Sequence, residues 1–207
     1  MIATPPFYYS PFTIHNKMTL FQGAALGITM MMIGPDKVPV PWQDPGYNKL
    51  LWIQSPNCDL RPVTAPVDTV VLHSTVIPTL EGTTRAFQNP KSQVSAHFTV
   101  GKDGSIIENV STFNRAWHAG ASKDIEGRPH VNDFSVGIEM VNLNDGKDPY
   151  TPAQIRVVHN LIYFLKIRFP LKYITSHEYI AVPHGRKTDP KGFPWETMND
   201  LGLQIVK

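Results

Sequence analysis

The chain has 207 residues, a length that fits one domain with extensions. Its net charge is only +2 and its basic residues are scattered, which argues against a nucleic-acid-binding protein. The single cysteine, Cys58, excludes an internal disulfide framework and a cysteine-rich zinc module.

Residues 1–56 are predicted to form an extension ahead of the folded domain. Within them, residues 18–34 carry no charge and are largely apolar, which suits a secretory signal or a membrane anchor, although a spanning helix needs about 20 residues. The other interpretation is an apolar helix packed on the domain. The Pro-rich, aperiodic stretch that follows indicates a linker. A signal or anchor at residues 18–34 places the protein in the periplasm or the cell envelope, with the cytoplasm as the alternative.

The sequence pattern of residues 57–200 predicts a single α/β domain with a mixed central β-sheet flanked by helices, because strand and helix patterns alternate along this region. Apolar, β-rich runs predict buried strands, and helical patterns lie between them. In chain order, these are a strand at 67–72, a helix at 79–89, a strand at 94–100, a hairpin turn at 102–104, and strands at 135–141 and 172–176. Thr151, Pro152 and Gln154 form a helix start signal, and the amphipathic helix ends at Phe169 before a proline.

Two histidines follow predicted strands, and an aspartate lies in a loop downstream of the second one. His73 comes after the strand at 67–72, and His177 comes after the strand at 172–176. Functional groups of α/β sheets gather at the carboxyl ends of strands, so these imidazoles are expected to meet. Together with Asp189 they would suit Zn²⁺ and leave a fourth position for water.

Two further residues suggest catalytic roles. Glu139 lies within an apolar strand, where a buried carboxylate is costly unless it has a purpose, so a general base is one interpretation. The alternative is that strand alternation turns it to solvent. Lys187, two residues before Asp189, could stabilise an oxyanion, although alone it would be an ordinary loop lysine.

Trp117 suits stacking on a sugar, and its neighbour His118 could line a cleft. For His97, a hydrogen-bonded structural role is at least as well supported as a place in that cleft.

Six segments, in this order, carry a resemblance to a known family: NCDLRP at 57–62, LHS at 72–74, VSAH at 94–97, RAWHAG at 115–120, NDFSVGIE at 132–139 and GRKTDP at 185–190. The chain resembles the zinc-dependent N-acetylmuramoyl-L-alanine amidases, which are related to phage amidase lysozymes and peptidoglycan recognition proteins. The likeness is strongest to the branch that acts on muropeptides during cell-wall recycling. The apolar segment at 18–34 departs from the cytoplasmic enzymes of that branch.

The resemblance implies a site and a reaction. It implies zinc ligands at His73, His177 and Asp189, an acid/base at Glu139 and an oxyanion stabiliser at Lys187. It further implies substrate contacts at Trp117, His118, Asn132 and Arg186. The implied reaction is hydrolysis, by zinc-activated water, of the amide between the lactyl group of N-acetylmuramic acid and L-alanine in peptidoglycan or muropeptides.

Two other functions compete with this one. A peptidoglycan-binding protein without catalysis is the main alternative, but recognition relatives of that kind lose a zinc ligand, and all three are present here. A zinc peptidase of unrelated fold is disfavoured because no H-E-x-x-H motif occurs. We expect a monomer, and residues 18–34 offer a possible membrane contact.

Overall fold

The computed structural model describes residues 50–207, so the apolar segment at 18–34 lies outside the described part of the chain. The strands in this part are β1 (Leu50–Trp52), β2 (Cys58–Leu60), β3 (Thr69–Ser74), β4 (Phe98–Val100), β5 (Ile106–Glu108), β6 (Asn114–Ala116), β7 (Ser135–Met140), β8 (Tyr173–Ser176) and β9 (Gln204–Val206). The helices are α1 (Leu80–Gln88), α2 (Pro152–Arg168) and the single turn α3 (His177–Ile180), with 3-10 turns at Pro90–Ser92, Val131–Asp133 and Trp195–Leu201.

The central sheet of this region has seven strands in the order β1-β5-β4-β7-β3-β8-β9. Only β4 and β5 pair in antiparallel fashion, through the predicted hairpin, and the other neighbours are parallel. A separate two-stranded sheet joins β2 to β6. The predicted α/β architecture with a mixed sheet is therefore confirmed.

Strand β3 lies in the interior of the sheet, and all six of its residues are buried. It pairs in parallel register with β7, which sets His73 beside Glu139, and with β8, which sets Leu72 beside Ser176. Paired residues on neighbouring strands project from the same face of a sheet. The register therefore brings the side chains of His73 and Glu139 to one face near the carboxyl ends of the strands.

Helix α2 begins as its sequence predicts. The Thr151 side chain accepts a hydrogen bond from the Gln154 backbone, and the Gln154 side chain accepts one from the Thr151 backbone, both at 3.1 Å. The buried Gln154 amide also donates to the carbonyl of Val141 at 2.9 Å. The helix start is thus tied directly to the loop that follows β7.

Arg61 holds together the segments on one side of the sheet. Its guanidinium donates to the carbonyls of Asn132, Asp133, Asn114 and Ser135 at distances of 2.8–3.0 Å. Burial lowers the pKa of Arg61 to about 10, so the group remains charged at neutral pH. These bonds fix the backbone that leads into β7.

The folded sheet extends past both ends of the predicted domain at 57–200, since β1 begins at Leu50 and β9 ends at Val206. The strand predicted at 94–100 is shorter, because Gln93 has a left-handed φ of 51° and Ser95 bonds to the Trp117 carbonyl. Within residues 50–207, no helix combines the length and the apolar character needed to cross a membrane.

Candidate metal centre and cleft

Three buried side chains converge at the carboxyl ends of β3 and β8. His73 is the fifth residue of β3, His177 directly follows β8, and Asp189 lies in the loop beyond α3. The two histidine Nδ1 atoms are 3.0 Å apart, and the Asp189 Oδ2 atom lies 3.5 Å from Nδ1 of His73 and 3.2 Å from Nδ1 of His177. The sequence predicted this grouping, and the fold produces it.

The geometry of this triad fits a tetrahedral metal ion. Zinc binds imidazole nitrogen at about 2.0–2.1 Å and carboxylate oxygen at about 2.0–2.2 Å, which places neighbouring ligand atoms about 3.3–3.5 Å apart. The three observed separations fall close to that range. Imidazole nitrogens and a carboxylate oxygen are donors that zinc binds, and the three residues each offer one such atom within reach of a single cation.

The protonation states of His73 and Asp189 also suit a metal, since metal ligands must be deprotonated. Burial, and then the charge of His177, lower the pKa of His73 to about 4, so its imidazole is neutral at pH 7. Burial acts to raise the pKa of Asp189, but the contacts with the imidazoles of His177 and His73 outweigh it and hold that pKa well below its ordinary value. Asp189 is therefore a carboxylate.

Tyr150, which no sequence motif marks as functional, lies behind the triad. The Tyr150 hydroxyl is 2.5 Å from the Ser74 hydroxyl, and the Ser74 backbone N–H donates to Oδ2 of Asp189 at 3.4 Å. Burial raises the pKa of Tyr150 to about 12, so its hydroxyl keeps its proton. The pair supports the position of the carboxylate.

Glu139 and Lys187 line the same cleft as the triad. The Oε2 atom of Glu139 is buried and has no hydrogen-bond partner among the described protein groups. Burial, and then the charge of Asp189, raise the pKa of Glu139 to about 8, while Lys187 acts to lower it. Glu139 therefore does not turn freely to solvent, and the Lys187 ammonium lies within electrostatic reach of it.

The cleft has two lobes, with volumes of about 200 Å³ and about 160 Å³. Five residues line both lobes: Val94, Trp117, His118, His177 and Lys187. The larger lobe adds Glu139, Asp189 and an apolar wall that includes Val76, Ile77 and Phe87. The smaller lobe adds Asn132 and Arg186. The wall residues come from loops and from α1, and nothing in their sequence distinguishes them from ordinary apolar positions.

The four predicted substrate contacts all line the cleft, but the side chains of two of them, Asn132 and Arg186, also bond to the protein backbone. The Asn132 side chain accepts hydrogen bonds from the backbone N–H groups of His118 and Ala119, at 3.1 and 2.8 Å. Arg186 donates to the carbonyls of Ala119 and Ala121, at 3.1 and 2.7 Å. Their contact with substrate stays a prediction.

The two remaining histidines near the site are buried, and neither is among the three candidate ligands. Nε2 of His73 is 3.1 Å from Nδ1 of His118, so His118 lies directly behind a predicted ligand. Nδ1 of His97 accepts from the Gly137 N–H at 3.0 Å, and its Nε2 lies 3.2 Å from the Asn114 carbonyl. Burial, and then the charge of Arg61, lower the pKa of His97 to about 3, so it is a neutral structural residue.

Comparison with known proteins points to one family. The sequence profile described as N-acetylmuramoyl-L-alanine amidase matches residues 63–192. The chain is 34% identical over 171 residues to the 1,6-anhydro-N-acetylmuramyl-L-alanine amidase AmpD of Citrobacter freundii, covering 72% of this chain and 88% of that protein. It is also 34% identical over 165 residues to the protein of the same name from Escherichia coli K12, covering 69% and 86%.

Solved structures agree with this likeness. A crystal structure of a selenomethionine AmpD derivative matches with a TM-score of 0.61 at 30% identity, covering 78% of this chain and 98% of that chain. The N-acetylmuramyl-L-alanine amidase AmiD from E. coli, in complex with anhydro-N-acetylmuramic acid-L-Ala-D-gamma-Glu-L-Lys, matches with a TM-score of 0.60 at 28% identity, covering 68% and 60%.

The raised pKa of Glu139 predicts that the free energy of unfolding of the metal-free protein depends on pH. Below its ordinary value of 4.5 the carboxyl is protonated in both folded and unfolded chains, and between 4.5 and about 8 only the unfolded chain loses the proton. Stability therefore falls as pH rises through that window. We expect Glu139→Gln to raise the free energy of unfolding at pH 8 by more than it does at pH 4.5, as measured by urea denaturation in EDTA.

The exposed Glu196 provides the matched control for this comparison, as Glu196→Gln. Equal effects of the two substitutions on the free energy of unfolding at both pH values would show that folding does not raise the pKa of Glu139.

Proposed function

The chain belongs to the N-acetylmuramoyl-L-alanine amidase family, and we propose that it hydrolyses the amide between the lactyl group of N-acetylmuramic acid and L-alanine in muropeptides, with zinc at His73, His177 and Asp189. The observation that carries this proposal is the convergence of three buried ligand atoms to within 3.0–3.5 Å of one another, in a cleft that also holds Glu139 and Lys187. The names of the AmpD relatives support a 1,6-anhydro-muropeptide as the substrate.

The donor set defines what the metal would contribute. A bound zinc ion would supply a Lewis acid that polarises the scissile carbonyl and lowers the pKa of acidic groups nearby. His73, His177 and Asp189 would hold it through two imidazole nitrogens and one carboxylate oxygen, with Ser74 and Tyr150 supporting Asp189.

Glu139 is the group placed to move protons. Its Oε2 atom is buried without a hydrogen-bond partner in the described part of the chain, so it is free to accept a proton from an attacking water. The same carboxyl then returns that proton to the nitrogen of the departing L-alanine, which completes the hydrolysis. In the metal-free protein a pKa of about 8 keeps most of Glu139 protonated at pH 7, with Lys187 acting to lower that pKa. The positive charge of a bound zinc ion would lower it further and leave the carboxylate form, which accepts the proton.

Lys187 is the group placed to stabilise charge on the substrate. It lines both lobes of the cleft, and its charge influences both Glu139 and His73. A fixed ammonium in a partly water-excluded cleft stabilises the oxyanion that forms when water adds to the carbonyl.

Removal of the metal or of one ligand tests the site itself. We expect the purified protein to carry one zinc ion per chain and to lose hydrolysis after treatment with a chelator, with recovery on addition of zinc. His177→Ala should weaken zinc binding by more than the roughly 10–100-fold typical of changes to groups behind the ligands, because it removes a ligand outright. Elemental analysis and chelator competition give the zinc content and affinity.

The control for that experiment is His159→Ala, because His159 lies at the surface and pairs with Asp200 at 2.9 Å. An unchanged zinc affinity in His177→Ala would contradict the assignment of the triad.

A substitution of Glu139 distinguishes a role in catalysis from a role in binding. We expect Glu139→Ala to bind zinc and muropeptide as the unsubstituted protein does, but to lose about 10²–10⁴-fold in kcat, the range that a general acid/base contributes. The assay is release of the free L-alanyl peptide from an anhydromuramyl peptide, followed by mass spectrometry.

Glu196→Ala should leave that turnover unchanged. Full turnover in Glu139→Ala would refute the acid/base role, whereas muropeptide binding by the zinc-loaded protein without any release would favour the non-catalytic binding protein.

We propose further that the protein acts in the cell envelope, with residues 18–34 as a signal or anchor. The uncharged, apolar sequence of that segment supports this location, where wall polymer or periplasmic fragments would be the natural substrate. Cell fractionation combined with mass spectrometry of the native N-terminus provides the test. A mature chain that starts after residue 34 indicates a signal, an intact chain in the membrane fraction indicates an anchor, and an intact chain in the cytosolic fraction contradicts the proposal.

A further inference from the structure

The two imidazoles of the triad have different surroundings on the side away from the ligand site. Nε2 of His73 lies 3.1 Å from Nδ1 of His118. Nε2 of His177 is buried and has no hydrogen-bond partner among the described protein groups. Among the described protein groups, the fold therefore provides a partner behind only one of the two imidazoles, and that partner is not itself a ligand.

The contacts behind His118 assign a direction to every hydrogen bond in the series. The Ser135 hydroxyl lies 2.6 Å from the Val131 carbonyl oxygen, which can only accept, so the hydroxyl donates there. Its oxygen is then left to accept from Nε2 of His118, which is 3.1 Å away. A neutral imidazole has one N–H, so a proton on Nε2 leaves Nδ1 of His118 as an acceptor.

The same logic continues to the ligand. With Nδ1 of His118 accepting, Nε2 of His73 must donate, and the single proton of that neutral ring is thereby placed on Nε2. Nδ1 of His73 then carries the lone pair, and this is the atom that lies 3.0 Å from Nδ1 of His177 and 3.5 Å from Oδ2 of Asp189. A backbone carbonyl at the start of the series thus determines which nitrogen faces the ligand site.

The position of the His118 ring is itself fixed by the fold. A Cβ atom added at Gly137 would lie 2.5 Å from Cγ of His118, so only glycine at this point of β7 leaves room for the ring. The backbone N–H of His118 donates to the Asn132 side chain at 3.1 Å. The rings of His73 and His118 meet edge to face, at 84° and 5.1 Å between centroids. His118 therefore has one position, against His73.

We propose that the Val131 carbonyl, Ser135 and His118 form a hydrogen-bonded chain that holds His73 in its Nε2–H tautomer and so presents Nδ1 to the zinc ion. His118 and Ser135 are then positioning residues. This inference rests on the proposed function, because it requires a metal at the triad. Partners behind a histidine ligand fix its tautomer and raise its basicity, and their loss commonly weakens metal binding about 10–100-fold.

Zinc affinity is the first test, measured by competition with a chromophoric chelator. We expect Ser135→Ala to weaken zinc binding about 10–100-fold, because His118 loses the acceptor that fixes its proton on Nε2. Ser55→Ala is the matched control: Ser55 is also fully buried, and its hydroxyl likewise donates to a carbonyl, that of Phe87 at 2.5 Å, and accepts an N–H, that of Asn57 at 3.1 Å.

His118→Asn and His118→Leu extend the comparison. Asparagine can place an oxygen near the position of Nδ1, so it should retain more zinc affinity than leucine, which offers His73 no acceptor. Equal zinc affinities for Ser135→Ala and Ser55→Ala, or for the two His118 variants, would overturn the proposed hydrogen-bonded chain but would leave the assignment of the metal site intact. Failure of the unsubstituted protein to bind zinc would instead overturn the proposed function.

Nuclear magnetic resonance of the unsubstituted protein gives a readout that does not depend on any variant folding. Long-range ¹H–¹⁵N spectra of the zinc-loaded, ¹⁵N-labelled protein report which ring nitrogens carry protons. We expect His118 to be protonated on Nε2 only, and His73 to be protonated on Nε2 with Nδ1 bound to the metal. A proton on Nδ1 of His118 would reverse the direction of the hydrogen bond between His118 and His73 and would refute the proposal.

Discussion

The parallel pairing of β3 with β7 and β8 is the constraint on which the site depends. It sets His73 beside Glu139 and brings the residue after β8, His177, to the same end of the sheet. Because side chains alternate between the faces of a strand, a shift of one residue in either register would send one of these groups to the opposite face. The complete burial of β3 holds this register in place.

The site concentrates polar groups in a place where burial is costly. Buried groups without hydrogen-bond partners typically cost about 1–3 kcal/mol each, and the described residues include two in the cleft, Oε2 of Glu139 and Nε2 of His177. Beside the cleft, Arg61 holds the backbone that leads into β7 through four short bonds to backbone carbonyls. The two unpartnered atoms of Glu139 and His177 are available to an ion, a water or a substrate.

The shape of the cleft agrees with the chemistry of the family. Its two lobes meet at residues that include His177 and Lys187, so a substrate that lies across both lobes would place its central bond next to the triad. A muropeptide has a sugar on one side of the scissile amide and a peptide on the other, which matches a cleft with its reactive groups at the junction. The half-exposed Trp117 lies at that junction and offers an apolar surface to either part.

The sequence by itself determined the parts of this protein that local rules govern. The capped helix α2, the hairpin between β4 and β5, and the position of His177 directly after a strand follow from neighbouring residues. The sequence pattern predicts that His73 follows a strand at 67–72, but His73 lies inside β3, because pairing with β7 extends that strand to Ser74. Only the tertiary structure decided the pairing of three-residue strands such as β1 and β9, which are too short to show a period. It also decided that His118 lies behind His73, because the space for its ring depends on Gly137, a residue distant in sequence whose missing side chain leaves no local signal.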